Sequence, residues 1–317
     1  MQDSGFTHPD AYDPEKFRLE CLRENLIVRS RILQSIRSFF TERDFIEVET
    51  PVRLPHPALE LHIDAETSGG FFLRTSPELH MKRMLAAGYE RMFQLGPCFR
   101  RGERGDRHHP EYTMLEWYRA GADYIDILAD TKSLITHLVQ EIHDAADLMY
   151  QGRSIAFNAG WHMVSVRDAF IEFAGWDPIK DFDPVRFNED LVDKVEPKLP
   201  KDVPTVLKDY PADLAALSRF KKDDPAVAER WELYIGGLEL ANAYSELTDP
   251  AEQMRRFETW SKERETEGRE VYAIDPAFIG ALETGLPESG GIALGIDRLV
   301  MLFTDSDSLD GVMAFRE

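Results

Sequence analysis

The chain has 317 residues, 43% of them hydrophobic and 30% charged, enough for one large domain or two ordinary ones. Its 58 acidic and 37 basic residues give a net charge of −21, which argues against broad, non-specific binding to a phosphate backbone. No apolar run reaches the length of a bilayer span, residues 1–6 are not a signal peptide, and Cys21 and Cys98 are too few for a disulfide framework. A cytoplasmic protein with no membrane partner is therefore expected.

Residues 1–25 are polar, contain Pro and Asp, and read as an extension. From 26 to 42, the apolar residues Ile32, Leu33, Ile36, Phe39 and Phe40 have helical spacing. Residues 44–50 read as a strand ended by Pro51. Ser76-Pro77-Glu78 starts a helix, with Pro at the first helical position, that runs to about Ala87 and stops at Gly88. Residues 91–100 are strand-like, 101–110 form a long charged loop, and 111–118 return as a strand of alternating character, so the three make a long hairpin. A helix follows over 123–143. Residues 177–230 are rich in Pro and Asp and read as helices and loops. Asp275-Pro276 caps a further helix, which Gly285 ends. No repeat, low-complexity segment or linker interrupts the chain. Antiparallel hairpins with helices before and after them indicate an α+β fold, with 26–317 as a single domain.

The segment 232–246 carries Glu232, Glu239, Asn242, Tyr244 and Glu246 on what otherwise reads as a buried hairpin. Gly236-Gly237 suits a two-residue turn, which pairs Ile235 with Leu238, Tyr234 with Glu239 and Glu232 with Ala241. Glu232 and Glu239 then share a face, and Asn242, Tyr244 and Glu246 share one by alternation. A bulge between Glu239 and Asn242 would turn both sets toward one pocket. The alternatives are a solvated sheet face and a site for a divalent metal with a cationic substrate.

Two features point to an anion. Between Lys82 and Arg107 there are seven basic residues against three acids, followed by His108 and His109. Residues 290–303 read as a glycine-flanked strand running into an apolar helix, with Asp297 as N-cap and Arg298 in the first turn, where the helix dipole disfavours a cation. Arg298 is thus either paired with an acid or aimed at a phosphate beside free helix N–H groups. With Arg100 and two metal-binding carboxylates it would neutralise a triphosphate, and no Walker loop, kinase signature or dinucleotide GxGxxG competes.

Phe99-Arg100 with His108-His-Pro-Glu-Tyr-Thr-Met-Leu-Glu116-Trp-Tyr118 resembles motif 2 of the class II aminoacyl-tRNA synthetases. Residues 290–298 resemble motif 3, and the helix, strand and Pro51 resemble the dimer-forming motif 1. The order, with Thr75-Ser-Pro-Glu78 and the acidic hairpin, is similar to the lysyl branch over residues 26–317. Only about 25 residues precede the motif 1 helix, too few for an anticodon-binding domain. A free-standing core of this kind resembles the elongation factor P lysine ligases, as do the motif 2 wording and Ala293, where synthetases usually have Gly.

The resemblance implies a homodimer that uses ATP and Mg²⁺ to activate (R)-β-lysine or lysine. The partner it implies is elongation factor P, with no tRNA. It implies Arg100 on the α-phosphate and substrate carboxylate, Arg298 on the γ-phosphate, Glu232 and Glu239 on Mg²⁺, Tyr112 on adenine and His108 on the phosphate tail. Glu246 and Tyr118 would take the distal ammonium, with Ser76, Glu78, Glu116, Asn242, Tyr244 and Ala293 lining the pocket. The family's motif 2 usually has an acid where this chain has Gly102, so either Glu103 or a backbone group would read the adenine. A truncated tRNA-charging enzyme, an inactive regulatory paralogue and an asparagine-forming amide ligase are the alternatives.

Overall fold

The computed structural model describes residues 13–316. Helix α1 spans Pro14–Thr41, because Asp13 accepts hydrogen bonds from the N–H groups of Glu15 and Lys16 and Pro14 is pre-set for the first turn. It thus begins well before the expected start at residue 26. Before Ile32 only Leu22 is buried, so the first turns carry almost no apolar signal. Residues 1–12 of the expected extension lie outside the described residues.

The chain then forms β1 (Ile46–Glu47), β2 (Arg91–Phe99), β3 (Glu111–Ala120), β4 (His162–Ser165), β5 (Thr205–Pro211), β6 (Val227–Ile235), β7 (Leu238–Ser245) and β8 (Ser289–Gly295). Among the described residues these make an eight-stranded sheet in the order β1-β2-β3-β8-β7-β6-β5-β4. β1 runs parallel to β2 and β4 parallel to β5, and the other neighbours are antiparallel. The remaining helices are α2 (Glu78–Ala86), α3 (Tyr124–His143), α4 (Val166–Phe173), α5 (Pro184–Asp190), α6 (Pro250–Thr266), α7 (Pro276–Gly285) and α8 (Ile296–Phe303). The fold is the expected α+β class, a mainly antiparallel sheet flanked by helices.

Local chemistry accounts for most boundaries. Asp123 caps α3 in a reciprocal box with Asp126, and Asp275 caps α7. Gly236 and Gly237 both have positive φ (62° and 83°), as a type I′ turn requires. Two expectations are corrected. The strand expected over 44–50 is only Ile46–Glu47, because Asp44 is in a turn at φ 61°. The region 177–230 holds a complete strand, β5, in addition to helices and turns. β5 is buried at every residue except Lys208, which is half-buried, so it shows no alternation to detect.

The two faces of the sheet do different work, and the two-residue period of a strand separates them. On β3, Leu115 and Trp117 enter the main core beneath α1, α3 and α8, while Glu116 and Tyr118 point to the other face. On β8, Ile292 and Leu294 enter the core while Gly291 and Ala293 face away. A second core, with Leu79, Phe257 and Phe278, packs α2, α6 and α7 onto that other face. The region between is left for a cavity.

Phe40 of α1 ties the helix to the sheet. Its ring stacks on Phe93 at 4.8 Å, meets Trp117 at 5.1 Å and touches Phe45 edge-on at 5.1 Å. Phe40→Ala is expected to lower stability by about 3–5 kcal/mol in denaturant unfolding. A loss below about 1 kcal/mol would mean that α1 is not part of the cooperative core.

Candidate active site

Four strands build the floor of one cavity by cross-strand pairing. Glu116 of β3 lies opposite Ala293 of β8, Ala293 opposite Asn242 of β7, and Asn242 opposite Glu232 of β6. A second row runs Tyr118, Gly291, Tyr244, Arg230. In both rows the middle strand supplies the small residue, so the large side chains on either side project around open space. The volume is about 460 Å³, within the range of small-molecule sites.

The bulge on β7 sets the register. Tyr234 pairs with Glu239 as expected, but Leu233 pairs with Ala241, leaving Leu240 as the extra residue. Glu232 therefore faces Asn242, not Ala241. The expected turn of both acidic sets toward one pocket is what results, since Glu232, Glu239, Asn242, Tyr244 and Glu246 all line the cavity. The other residues expected there line it too: Ser76, Glu78, Arg100, Glu103, His108, Tyr112, Glu116, Tyr118, Ala293 and Arg298.

One end of the cavity is an acidic cage. Glu116 accepts hydrogen bonds from Ser76 Oγ at 2.7 Å and Tyr118 Oη at 3.1 Å. Burial, reinforced by the charge of Glu78, pushes its carboxyl up to about 8. Lys82, fully buried on α2, sits between Glu78 at 2.6 Å and Glu246 at 2.5 Å. Burial works against its charged form, but the two carboxylates outweigh it and hold the ammonium above its usual value. Burial also pushes Glu246 up to about 7, against the pull of Lys82. Two carboxylates thus share one internal ammonium and a third, Glu116, has none, which leaves the cage short of positive charge.

The other end is cationic at its rim. Arg298 donates to the Glu239 carbonyl at 2.9 Å, and its second terminal nitrogen lies 2.7 Å from His108 Nε2. Burial and the Arg298 charge hold His108 below the usual imidazole range, so the ring is a neutral acceptor for the guanidinium. Arg100 lies 3.6 Å from Glu103 and over the Tyr112 ring at 5.2 Å, while Tyr112 Oη donates to the Thr75 carbonyl at 2.9 Å. The buried Nε of Arg100 has no hydrogen-bond partner among the described residues, a donor left for a ligand. Gly102 adopts φ 81°, a region side chains disfavour, and the next residue, Glu103, reaches the cavity.

Several expectations are revised here. Asp297 does not cap α8; Gly295 is the N-cap, and Asp297 in the first turn pairs with Arg29 at 2.7 Å and accepts from the Thr113 N–H at 2.7 Å. The basic stretch 82–107 is not one anion site. Lys82 is buried in the acidic cage, Arg83 and Arg101 pair with Asp275 and Glu270, and Arg100 and Arg107 reach the cavity. Arg230 was not anticipated, although it alternates with Glu232 on one strand. It pairs with Glu232 at 2.6 Å and stacks over Tyr210 and Tyr244.

Among the described residues no group of three or more His, Cys, Asp or Glu could hold a metal unaided. Glu232 and Glu239 nevertheless fit Mg²⁺, which is commonly held by one or two carboxylates together with substrate phosphates and water. Burial and the charge of Glu232 raise Glu239, so this pair too is short of positive charge. Glu232 takes hydrogen bonds from Arg230, Tyr210 Oη at 2.6 Å and Tyr234 Oη at 2.8 Å, which orient it toward the cavity while leaving lone pairs for an ion.

Gly291 tests the geometry directly. A Cβ there would lie 2.2 Å from Glu246 Oε1 and 2.4 Å from the Tyr118 ring, in the heart of the cage. Gly291→Ala is expected to weaken binding of lysine, the ligand the resemblance implies for the cage, at least about tenfold by calorimetry, while binding of ATP, which it implies for the arginine rim, changes less than about threefold. Equal loss of both ligands would contradict the two-ended cavity.

The sequence matches known proteins along nearly the whole chain. The family model for tRNA synthetases class II (D, K and N) matches residues 14–317. A lysine–tRNA ligase of Fervidobacterium nodosum is 38% identical over 313 residues, covering 91% of this chain and 61% of the relative. A lysine–tRNA ligase of Carboxydothermus hydrogenoformans is 36% identical over 93% of this chain and 65% of its own length, and one of Dehalococcoides mccartyi is 36% identical over 92% and 64%. The chain thus spans somewhat less than two thirds of these relatives. No helix among the described residues is long and apolar enough to cross a membrane. With the family model matched almost end to end, the chain belongs to the class II tRNA synthetases of the D, K and N group.

Proposed function

We propose that this protein uses ATP to activate (R)-β-lysine or lysine as an acyl-adenylate and transfers the acyl group to a lysine side chain of elongation factor P. The observation that carries the reading is the meeting, in one cavity, of an acidic cage short of positive charge and a rim of arginines. A lysine-like molecule carries a distal ammonium for the cage and a carboxylate for the rim.

Arg100 holds the substrate carboxylate and the α-phosphate, Arg298 the γ-phosphate, and His108 reaches the phosphate tail. Tyr112 stacks on the adenine, and Glu103 reads its amino group. Glu232 and Glu239 hold Mg²⁺, which when bound neutralises phosphate charge. At the far end Glu246, Glu116 and Tyr118 take the distal ammonium, with Ser76, Glu78, Asn242, Tyr244 and Ala293 shaping the wall. A carboxylate oxygen of the substrate attacks the α-phosphorus, the bond to the β-phosphate oxygen breaks, and pyrophosphate leaves. The acceptor amine then attacks the adenylate carbonyl, AMP departs, and the amine loses a proton. Alignment and charge neutralisation carry the catalysis. The enzyme works as a homodimer through the segment that resembles motif 1.

The acceptor is assigned to a protein because a net charge of −21 opposes a tRNA backbone, and because Ala293 adds a methyl group to the amino-acid pocket. The relatives, which are lysine–tRNA ligases, favour a second reading in which the acceptor is tRNA.

Amino-acid-dependent ATP–pyrophosphate exchange with (R)-β-lysine, lysine and no amino acid tests the first step. Mass spectrometry of elongation factor P and acid-gel analysis of tRNA then test the second. Exchange preferring β-lysine, with a mass shift on the factor and no charged tRNA, is expected. Exchange with lysine and charging of tRNA would establish the second reading, and no exchange would rule out both.

A further inference from the structure

One carboxylate on the cavity wall has no part in the roles above. Glu60 lies in the connection from Arg53–Leu54 to Thr67–Ser68, two strands of a three-stranded sheet completed by Phe71–Leu73, and it lines the cavity. Among the described residues, no hydrogen-bond donor or basic side chain pairs with its carboxylate. Its backbone, by contrast, is held firmly. Arg264 of α6, whose side chain is fully buried, donates to the carbonyls of Glu60 at 2.8 Å, Leu61 at 3.1 Å and Ile63 at 3.0 Å, and to Asp64 Oδ1 at 2.6 Å. Tyr272, under the same guanidinium, accepts from the Ala65 N–H at 2.9 Å, and the Arg101 N–H donates to the Asp64 carbonyl at 2.7 Å. A buried arginine committed to one loop makes that loop a rigid wall, so the Glu60 side chain is presented from a fixed point.

The charges that act most on Glu60, after burial, are Arg100 and then Glu78. It lines the same cavity as the arginine rim and the acidic cage, and one of these two charges belongs to each end. Burial pushes its carboxyl up to about 7, so a cation placed beside it would favour the ionised form. On the reading of the site given above, the substrate carboxylate lies at Arg100 and the distal ammonium in the cage of Glu116 and Glu246. The group left over on a diamino acid is the amino group close to its carboxylate, and on that reading it falls between the two ends.

We propose that Glu60 determines substrate specificity by binding the amino group nearest the substrate carboxylate, so that the site selects a diamino acid over a mono-amino acid of similar length. The inference rests on a lysine-like substrate and adds a residue that reads the second ammonium.

The test compares wild type, Glu60→Gln and Glu60→Asp in ATP–pyrophosphate exchange with the diamino acid. The probe for the missing group is 6-aminohexanoate, used as a competitive inhibitor, since it keeps the carboxylate and distal ammonium but lacks the second amine. Glu60→Gln is expected to raise KM for the diamino acid about tenfold or more with kcat within about threefold, as for loss of one charge-assisted hydrogen bond. The inhibition constant of 6-aminohexanoate should stay within about twofold, and Glu60→Asp should recover part of the lost KM. Parallel weakening of both ligands, or no weakening of either, with wild-type exchange intact, would overturn the role of Glu60 alone. Absence of exchange in the wild type with every diamino acid would overturn the substrate reading and this inference together.

Discussion

A sheet can hold a ligand on its face only where a central strand gives up its side chains. Here that strand is β8, and the positions are Gly291 and Ala293, each flanked by large polar residues on β3 and β7. The opposite face of the same strand, Ile292 and Leu294, is sealed into the main core. One seven-residue strand therefore anchors the domain and empties the cavity in alternate steps. Strands β3 and β6 show the same economy, with Trp117 and Trp231 buried beneath the sheet and Glu116 and Glu232 above it.

What fills the cavity follows from its charge. Among the described residues, nine carboxylates and four arginines line it. Burial, with the charge of Glu78 adding to it, pushes Glu116, Glu246 and Glu60 toward neutral pH or above. Cations relieve that stress: an internal one, Lys82, is already committed, and an amino acid with a second ammonium supplies more. The arginines collect at the other end because a carboxylate and a phosphate chain must lie there on the same reading. On the proposed function, substrate class and reaction type are thus two consequences of one charge distribution.

Much of this was legible in the residues. Alternation in 111–118 and 242–246, the helix over 123–143, the capping aspartate 275 and the glycine pair 236–237 each rest on local rules, and each holds in the structure. The bulge was legible because no regular register could turn both acidic sets inward. Other features depend on distant partners. Lys82 reads as part of a basic run until the fold brings Glu246 against it, and Asp297 reads as a cap until Arg29 claims it. β5 has no period because it is buried on both faces, and Glu60 gives no signal because its importance comes from Arg264, some 200 residues away in sequence. Local rules identify the elements and the face, while long-range electrostatics decides which charges are free to bind.

The central claim is that the empty cavity holds protons in place of a cationic amino acid. Calorimetric titration of the diamino acid in buffers of different ionisation enthalpy measures this directly. Because Glu116 and Glu246 are raised to about 8 and about 7, an arriving ammonium must displace their protons below those values. The account predicts release of about one proton or more per bound amino acid near pH 6.5, falling toward zero as the pH approaches about 8.5, with affinity rising over the same range. Binding with no proton release across that range would show that the carboxylates are already ionised in the empty site, and the account would be wrong at its foundation.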